Sequence, residues 1–340
     1  MQINVFNSYK VGFLFLALLI IYTSCKPKHP PVSFYYWKQE FALSKRQSKL
    51  LKDTKTNKIY LKFFDIVIDE EINEVRPNAI INFETKPNLE IIPCVFVQNK
   101  VFESNSLPRE IAFNSNRLIK QIIRKNKLII NEIQIDCDWT QSTKSNYFLY
   151  LKELTRLNPK IQITSTLRLH QLKDYKNTGI PPVKKVLLMC YNVGDIENFS
   201  SENSILSPRI LNDYISKDMK YPLKLDLALP IYQWALVFRL GKLNLIINDL
   251  EKKKLNNKNF KPISKNYYQV TKNHYINNKF LNKGDLIRFE CSQKTDIKKC
   301  VQLFQESNLN FNQVIFYHIS QNNIQQHHAD FFNQINTNTP

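Results

Sequence analysis

The sequence predicts an α/β fold, a (β/α)8 TIM-like barrel with an insertion after its seventh strand, and three observations carry that prediction. Strand-like apolar runs alternate with amphipathic stretches along most of the chain, the order that builds a parallel sheet with helices packed outside it. Only five glycines occur in 340 residues, and neither GxGxxG nor GxxxxGK(S/T) is present, which disfavours an open doubly wound sheet beginning on a Gly-rich turn. The chain is also long enough for one barrel with an insertion.

Taken in order, the strand-like runs are Ser33–Trp37, Ile59–Ile66, Leu89–Val97, Glu132–Cys137, Lys160–Leu167, Val186–Tyr191, Lys224–Pro230 and Gln313–Ile319. Between them lie helical patterns such as Ser115–Lys125, with Leu118, Ile119, Ile122 and Ile123 on one face, and Tyr147–Arg156, with Phe148, Leu151 and Leu154. A further run, Asp285–Glu290, closes a segment rich in Asn, Lys and Tyr without a core period. That segment and its run are read together as the insertion, residues 240–290, and the helix Asp296–Glu306 then leads into the eighth strand. The barrel domain spans 33–333, with a tail at 334–340.

The first residues have another purpose. Lys10 precedes an uncharged run from Val11 to Tyr22, about 12 residues, which ends at Thr23-Ser24-Cys25. A bilayer-spanning helix needs about 20 residues, so residues 1–24 are expected to be a cleaved signal peptide. Small residues directly before a cysteine resemble the bacterial lipobox, which implies that Cys25 is lipidated. Residues 25–32 then form a tether, and the expected location is the cell envelope, periplasmic or outer-membrane.

Composition narrows the partners. A hydrophobic content of 43% with 12% aromatics excludes general disorder. The formal charge of +19 would point to nucleic acid in a cytosolic protein; an exported chain meets anionic lipid or acidic glycans instead, so no nucleic-acid partner is expected. Besides Cys25 there are Cys94, Cys137, Cys190, Cys291 and Cys300, with no metal-ligand spacing, and Cys291 and Cys300 are left open as a pair. No metal or cofactor is expected.

In a parallel barrel, chemistry sits at the carboxyl ends of the strands. The fourth strand ends Asp136-Cys137-Asp138-Trp139-Thr140, and alternation puts Asp136 and Asp138 on one side, roughly 6.6 Å apart along the strand. Two carboxylates that close raise one another's pKa, which makes them the candidate catalytic pair. The fifth strand's alternation aligns Thr164, Thr166, Arg168 and His170 towards the interior, with Arg168 able to fork onto an aspartate. Trp37, Tyr191, Asn192, Tyr232 and Trp234 lie at other strand ends, where rings stack on sugars and amides bond to hydroxyls; an opposing carboxyl would come from Asp65, Asp195 or Glu290.

Three of these segments resemble signatures of chitinase-type glycoside hydrolases. Asp136-Cys137-Asp138-Trp139-Thr140 resembles their DxDWE, Met189-Cys190-Tyr191-Asn192 their MxYD, and Ala228-Leu229-Pro230-Ile231-Tyr232 their GxPxY. Phe64-Asp65, Asp136 to Trp139, Leu167 to Gln171 and Gly179-Ile180-Pro181-Pro182-Val183 together look like a group of bacterial lipoproteins with a glycosidase-like barrel. The resemblance implies a glycan partner, Asp136 and Asp138 as catalytic residues, and Trp37, Asp65, Trp139, Arg168, His170, Tyr191, Asn192, Tyr232 and Trp234 as substrate contacts. Two departures stand out. Thr140 replaces the family's proton-donating Glu, and Asn192 replaces its Asp. Two readings follow: an enzyme that cleaves a glycan, and a non-catalytic glycan-binding or scaffold lipoprotein that has lost its acid.

Overall fold

The computed structural model describes residues 31–325 and 327–337. Cys25, the signal peptide and most of the tether lie outside the described residues. Eight parallel strands close on themselves: β1 Ser33–Tyr36, β2 Lys58–Asp69, β3 Glu90–Val97, β4 Glu132–Asp136, β5 Gln162–Arg168, β6 Lys185–Met189, β7 Lys224–Pro230 and β8 Phe311–Tyr317. Each strand pairs with its sequence neighbours, and β1 bonds to both β2 and β8, so no barrel edge is left open. The helices are α1 Lys45–Asp53, α2 Pro108–Lys125, α3 Lys144–Leu157, α4 Leu169–Lys173, α5 Tyr175–Thr178, α6 Pro208–Asn212, α7 Lys294–Gln305 and α8 Ala329–Thr337. None of the described helices is long and apolar enough to cross a membrane.

Local sequence sets these elements. A Ser44–Gln47 capping box starts α1, and Pro108 starts α2, whose buried face carries Ile111, Ala112, Ile119 and Ile122. No helix follows β2. That strand instead runs on to Asp69 and turns back as the antiparallel strand Glu74–Asn78.

Two expected boundaries are corrected. The insertion begins at Gln233, not at residue 240, and it has a core of its own. Its strands Gln233–Arg239, Lys242–Asn248, Phe260–Ser264, Tyr267–Val270 and Leu286–Cys291 form one antiparallel sheet, with Val237, Ile247, Val270, Ile287 and Phe289 buried together. The seventh barrel strand ends at Pro230 as expected, but the chain turns at Ile231–Tyr232 and enters the insertion sheet at once, so Gln233–Arg239 belongs to that sheet. The supposed tail also starts too early. Residues 329–337 form α8, and Phe332 packs edge-on against Phe34 and Phe316, at 5.1 and 4.7 Å between ring centres.

The barrel interior is polar in tiers. At the amino-terminal end, Lys185 bridges Glu132 and Asp226, at 3.1 and 2.8 Å, and Thr164 donates to Glu132. Mid-barrel, Gln134 accepts hydrogen bonds from Tyr35 and, through sulfur, from Cys94. At the carboxyl-terminal end lies the predicted site.

Candidate functional site at the barrel mouth

Asp136 ends β4 pointing inward and accepts a 2.8 Å hydrogen bond from the Thr166 hydroxyl on β5. Burial and then the neighbouring Asp138 push its carboxyl up to about 6, against the opposing pull of Arg168 and Thr166; Asp65 adds to the rise. Asp138 stands two residues on, half-exposed, and Arg168 forks onto it: Nε to Oδ1 at 2.5 Å and Nη2 to Oδ2 at 2.8 Å. Burial alone would lower the guanidinium's pKa, but the hydrogen bonds and charge of Asp138 outweigh it and hold Arg168 firmly charged. Asp136, Asp138 and Arg168 are thus brought together as alternation predicts.

Asp65 on β2 pairs with Lys62 at 2.7 Å, while its other oxygen is buried without a hydrogen bond. Lys62 also lies 5.7 Å over the Trp37 ring. Aromatic side chains fill the rest of the mouth. Tyr191 stacks on Tyr317 at 4.9 Å, and Tyr317 meets Tyr35, Trp37 and Tyr232 at 5.6–5.8 Å. The hydroxyl of Tyr232 donates to Asn192, which is exposed and held at a left-handed φ of 54°. Tyr191 and Tyr232 are each 7% exposed, so they wall the mouth more than they line an open platform, whereas Trp37 and Tyr317 are half-buried.

The chain is similar to the C-terminal domain of a putative chitinase from Desulfitobacterium hafniense DCB-2, with 7% identity over 90% of this chain and 99% of that one, at a TM-score of 0.54. It is similar to the spore cortex-lytic enzyme SleL of Bacillus megaterium QM B1551, with 9% identity over 93% of this chain and 76% of that one, at a TM-score of 0.53. The barrel is remotely similar to those of chitinase-type glycoside hydrolases. No protein-family model matches the sequence, and no curated protein matches it. At such identities the likeness is one of fold, so the role of each residue rests on its own surroundings.

Those surroundings remove several expected contacts. Trp139 is fully buried, stacks on Tyr147 at 5.2 Å and donates from Nε1 to the Thr178 carbonyl, so it braces α3 and cannot reach a ligand. His170 does not continue the inward face of β5: the strand ends at Arg168, and His170 is exposed on α4. Burial lowers its pKa somewhat, with Asp138 and Arg168 close enough to act in opposite directions. Trp234 belongs to the insertion sheet and donates to Glu290 at 2.7 Å. Glu290 is buried, pairs with Arg288 at 2.7 Å and accepts from Ser204, which leaves it no role as an opposing acid. Asp195 is exposed and caps the Glu197 amide. Asp65 is the one proposed opposing carboxyl that shares the mouth with Asp136.

Thr140 bonds locally to Ser142 and Thr143 at the start of α3, where it cannot release a proton to a leaving group. Cys291 and Cys300 are free thiols, Cys300 buried on α7. Sequence reasoning missed Tyr317 and Lys62. The strand-end rule that selects Tyr191 also applies to Tyr317, but the eighth strand was expected to end at Ile319, two residues late. Lys62 precedes a register shift in the pairing of β2 with β3, which breaks simple alternation there.

Proposed function

We propose that this chain is a glycan-binding barrel of the cell envelope, tethered by a lipid on Cys25, that holds its ligand without hydrolysing it. One observation carries the reading: both oxygens of Asp138 are engaged by Arg168, and the next polar position towards solvent is Thr140 rather than a carboxylic acid. Usual glycosidases need two carboxyls on opposite sides of the scissile bond, one of them protonated. Here the cluster offers a fixed carboxylate, a guanidinium, the Asn192 amide and the half-buried rings of Trp37 and Tyr317, a set suited to hydroxyls and sugar faces. The fold supports a glycan as the ligand class.

A second reading rests on Asp136. With its carboxyl near 6 it holds a proton at mildly acid pH, and Asp65 faces the same mouth, so the pair could act as acid and opposing carboxylate. Oligomers of β-linked N-acetylglucosamine, chosen because the barrel resembles that of a putative chitinase, test both readings. Calorimetry on the full chain in non-ionic detergent is expected to show binding, and a reducing-end assay at pH 5 is expected to show no cleavage. Cleavage abolished by Asp136→Asn would establish the second reading. No binding to any neutral or charged glycan would sink both. The tether has a separate test: Cys25→Ser is expected to move the chain from the membrane to the soluble fraction, because a run of about 12 apolar residues is too short to anchor it.

A further inference from the structure

We propose that the insertion is a docking surface for an anionic polysaccharide, presented at the same end of the barrel as the mouth. The inference rests on the glycan-binding reading and extends it to the class of glycan. Residues 233–291 contain 10 Lys and 2 Arg against 4 acids, and all of those lysines are exposed. Three of the acids are already neutralised: Asp285 by Arg239 at 2.8 Å, Glu290 by Arg288 at 2.7 Å, and Glu251 by Lys253 at 2.6 Å. The insertion therefore shows solvent an excess of positive charge that its own carboxylates do not answer.

At one point this charge surrounds exposed aromatic surface. The strands His274–Ile276 and Lys279–Leu281 form a two-stranded hairpin through Asn277-Asn278, both at positive φ, and Tyr275 lies directly opposite Phe280. Their rings are 5.0 Å apart, with Tyr275 72% and Phe280 43% exposed. The paired rings give an exposed apolar surface on which a sugar face can stack. Lys272 and Lys279 sit on or beside the hairpin, and the Lys283 amide bonds Asn273 next to it. Rings that accept sugar faces, flanked by ammonium groups that accept carboxylates or phosphates, fit a charged polysaccharide.

Topology argues against the anchoring bilayer as the partner. All eight barrel strands are parallel, and the chain enters β1 at the amino-terminal end, where Gln313 holds the Pro31 carbonyl at 2.7 Å. The insertion leaves β7 at the opposite end. A lipid on Cys25, joined to the barrel by residues 25–32 with a reach of about 25–30 Å, would hold the far end, not this one, next to the membrane.

The test uses the full-length chain carrying Cys25→Ser, so that no lipid contributes affinity, with immobilised polygalacturonate as the polyanion, dextran as the neutral polymer, and phosphatidylglycerol vesicles. The chain is expected to bind polygalacturonate and not dextran, and to lose about tenfold in affinity between roughly 50 and 500 mM salt. Replacing Lys272, Lys279 and Lys283 together by Glu is expected to weaken binding about tenfold. Tyr275→Ser with Phe280→Ser is expected to weaken it about threefold while leaving the salt dependence intact. Unchanged thermal melts would show that these exposed substitutions leave the fold whole. The proposal is overturned if vesicles co-sediment the chain as strongly as polygalacturonate does, or if both variants bind as wild type. Binding of N-acetylglucosamine oligomers is read on the same variants. If the wild-type chain binds the polyanion but no N-acetylglucosamine oligomer, the mouth fails as the site of a neutral glycan while this surface keeps its ligand.

Discussion

The two ends of the barrel each hold a cluster of charged side chains, and they are built differently. At the amino-terminal end Lys185 sits between Glu132 and Asp226, with exposures of 15%, 10% and 3%, and every partner is held by another. Burial lowers the pKa of Lys185, but the two carboxylates outweigh it and hold the ammonium charged; Lys58 beside them is lowered, chiefly by burial and then by Lys185. At the mouth, three carboxylates, Asp65, Asp136 and Asp138, face Arg168 and Lys62, and the Asp138–Arg168 pair is 44% and 27% exposed. The lower cluster is buried, and its charges answer one another across three strands. At the mouth the paired charges are only half-buried, and one carboxyl is held near 6.

The sharpest way to break this comparison is to remove the same kind of partner from each end. Lys185→Met should strand Glu132 and Asp226 in a dry site and cost about 3–5 kcal/mol in urea unfolding, enough to leave the chain marginal. Adding Glu132→Gln and Asp226→Asn to that variant should recover most of the loss, since no unpaired charge then remains. A Lys185→Met protein as stable as wild type would mean that the lower cluster carries no structural burden.

A smaller effect, dependent on pH, belongs to Asp136. Its folded-state pKa lies above the unfolded value, so the folded chain keeps a proton that the unfolded chain gives up. Stability is fully present below the ordinary carboxylate range and falls as pH rises towards about 6. Asp136→Asn mimics the protonated form and should exceed wild type by about 1–2 kcal/mol at pH 8 and match it near pH 4. Melting curves at the two pH values check this; the opposite crossover would mean that Arg168, rather than burial and Asp138, governs Asp136.

The smallest change in stability is expected from Asp138→Asn. The pair it breaks is half-exposed, so the cost should stay at about 1 kcal/mol, while affinity for the mouth ligand should fall about tenfold as the guanidinium loses its orientation. A collapse of the fold in this variant would place the mouth cluster in the same class as the lower one.

How far the sequence could be read follows from the kind of order each region has. Barrel strands appear as short apolar or alternating runs, the apolar face towards the helices and the polar one inside, and the eight runs in the sequence match the eight strands of the closed barrel. Alternation also aligned Asp136, Asp138 and Arg168 correctly, because all three lie within or just past regular strands. It failed at His170, where β5 has already given way to α4, and at Lys62, beside a register shift. It failed again for the insertion, whose apolar residues are spread thinly among Lys and Asn and find one another only across antiparallel pairings.

By itself the sequence determined the order of the eight barrel strands, the polar strand ends that could carry chemistry, and the absence of an acid at Thr140, since each depends on residue identity and short-range period. Tertiary structure alone decided which polar groups are spent on one another. Glu290 is consumed by Arg288, Ser204 and Trp234, Trp139 by Tyr147 and Thr178, and the oxygens of Asp138 by Arg168. These partners lie about 30 to 90 residues apart in most cases, and a side chain's availability depends on what the fold brings within 3 Å of it, a distance that no local pattern encodes.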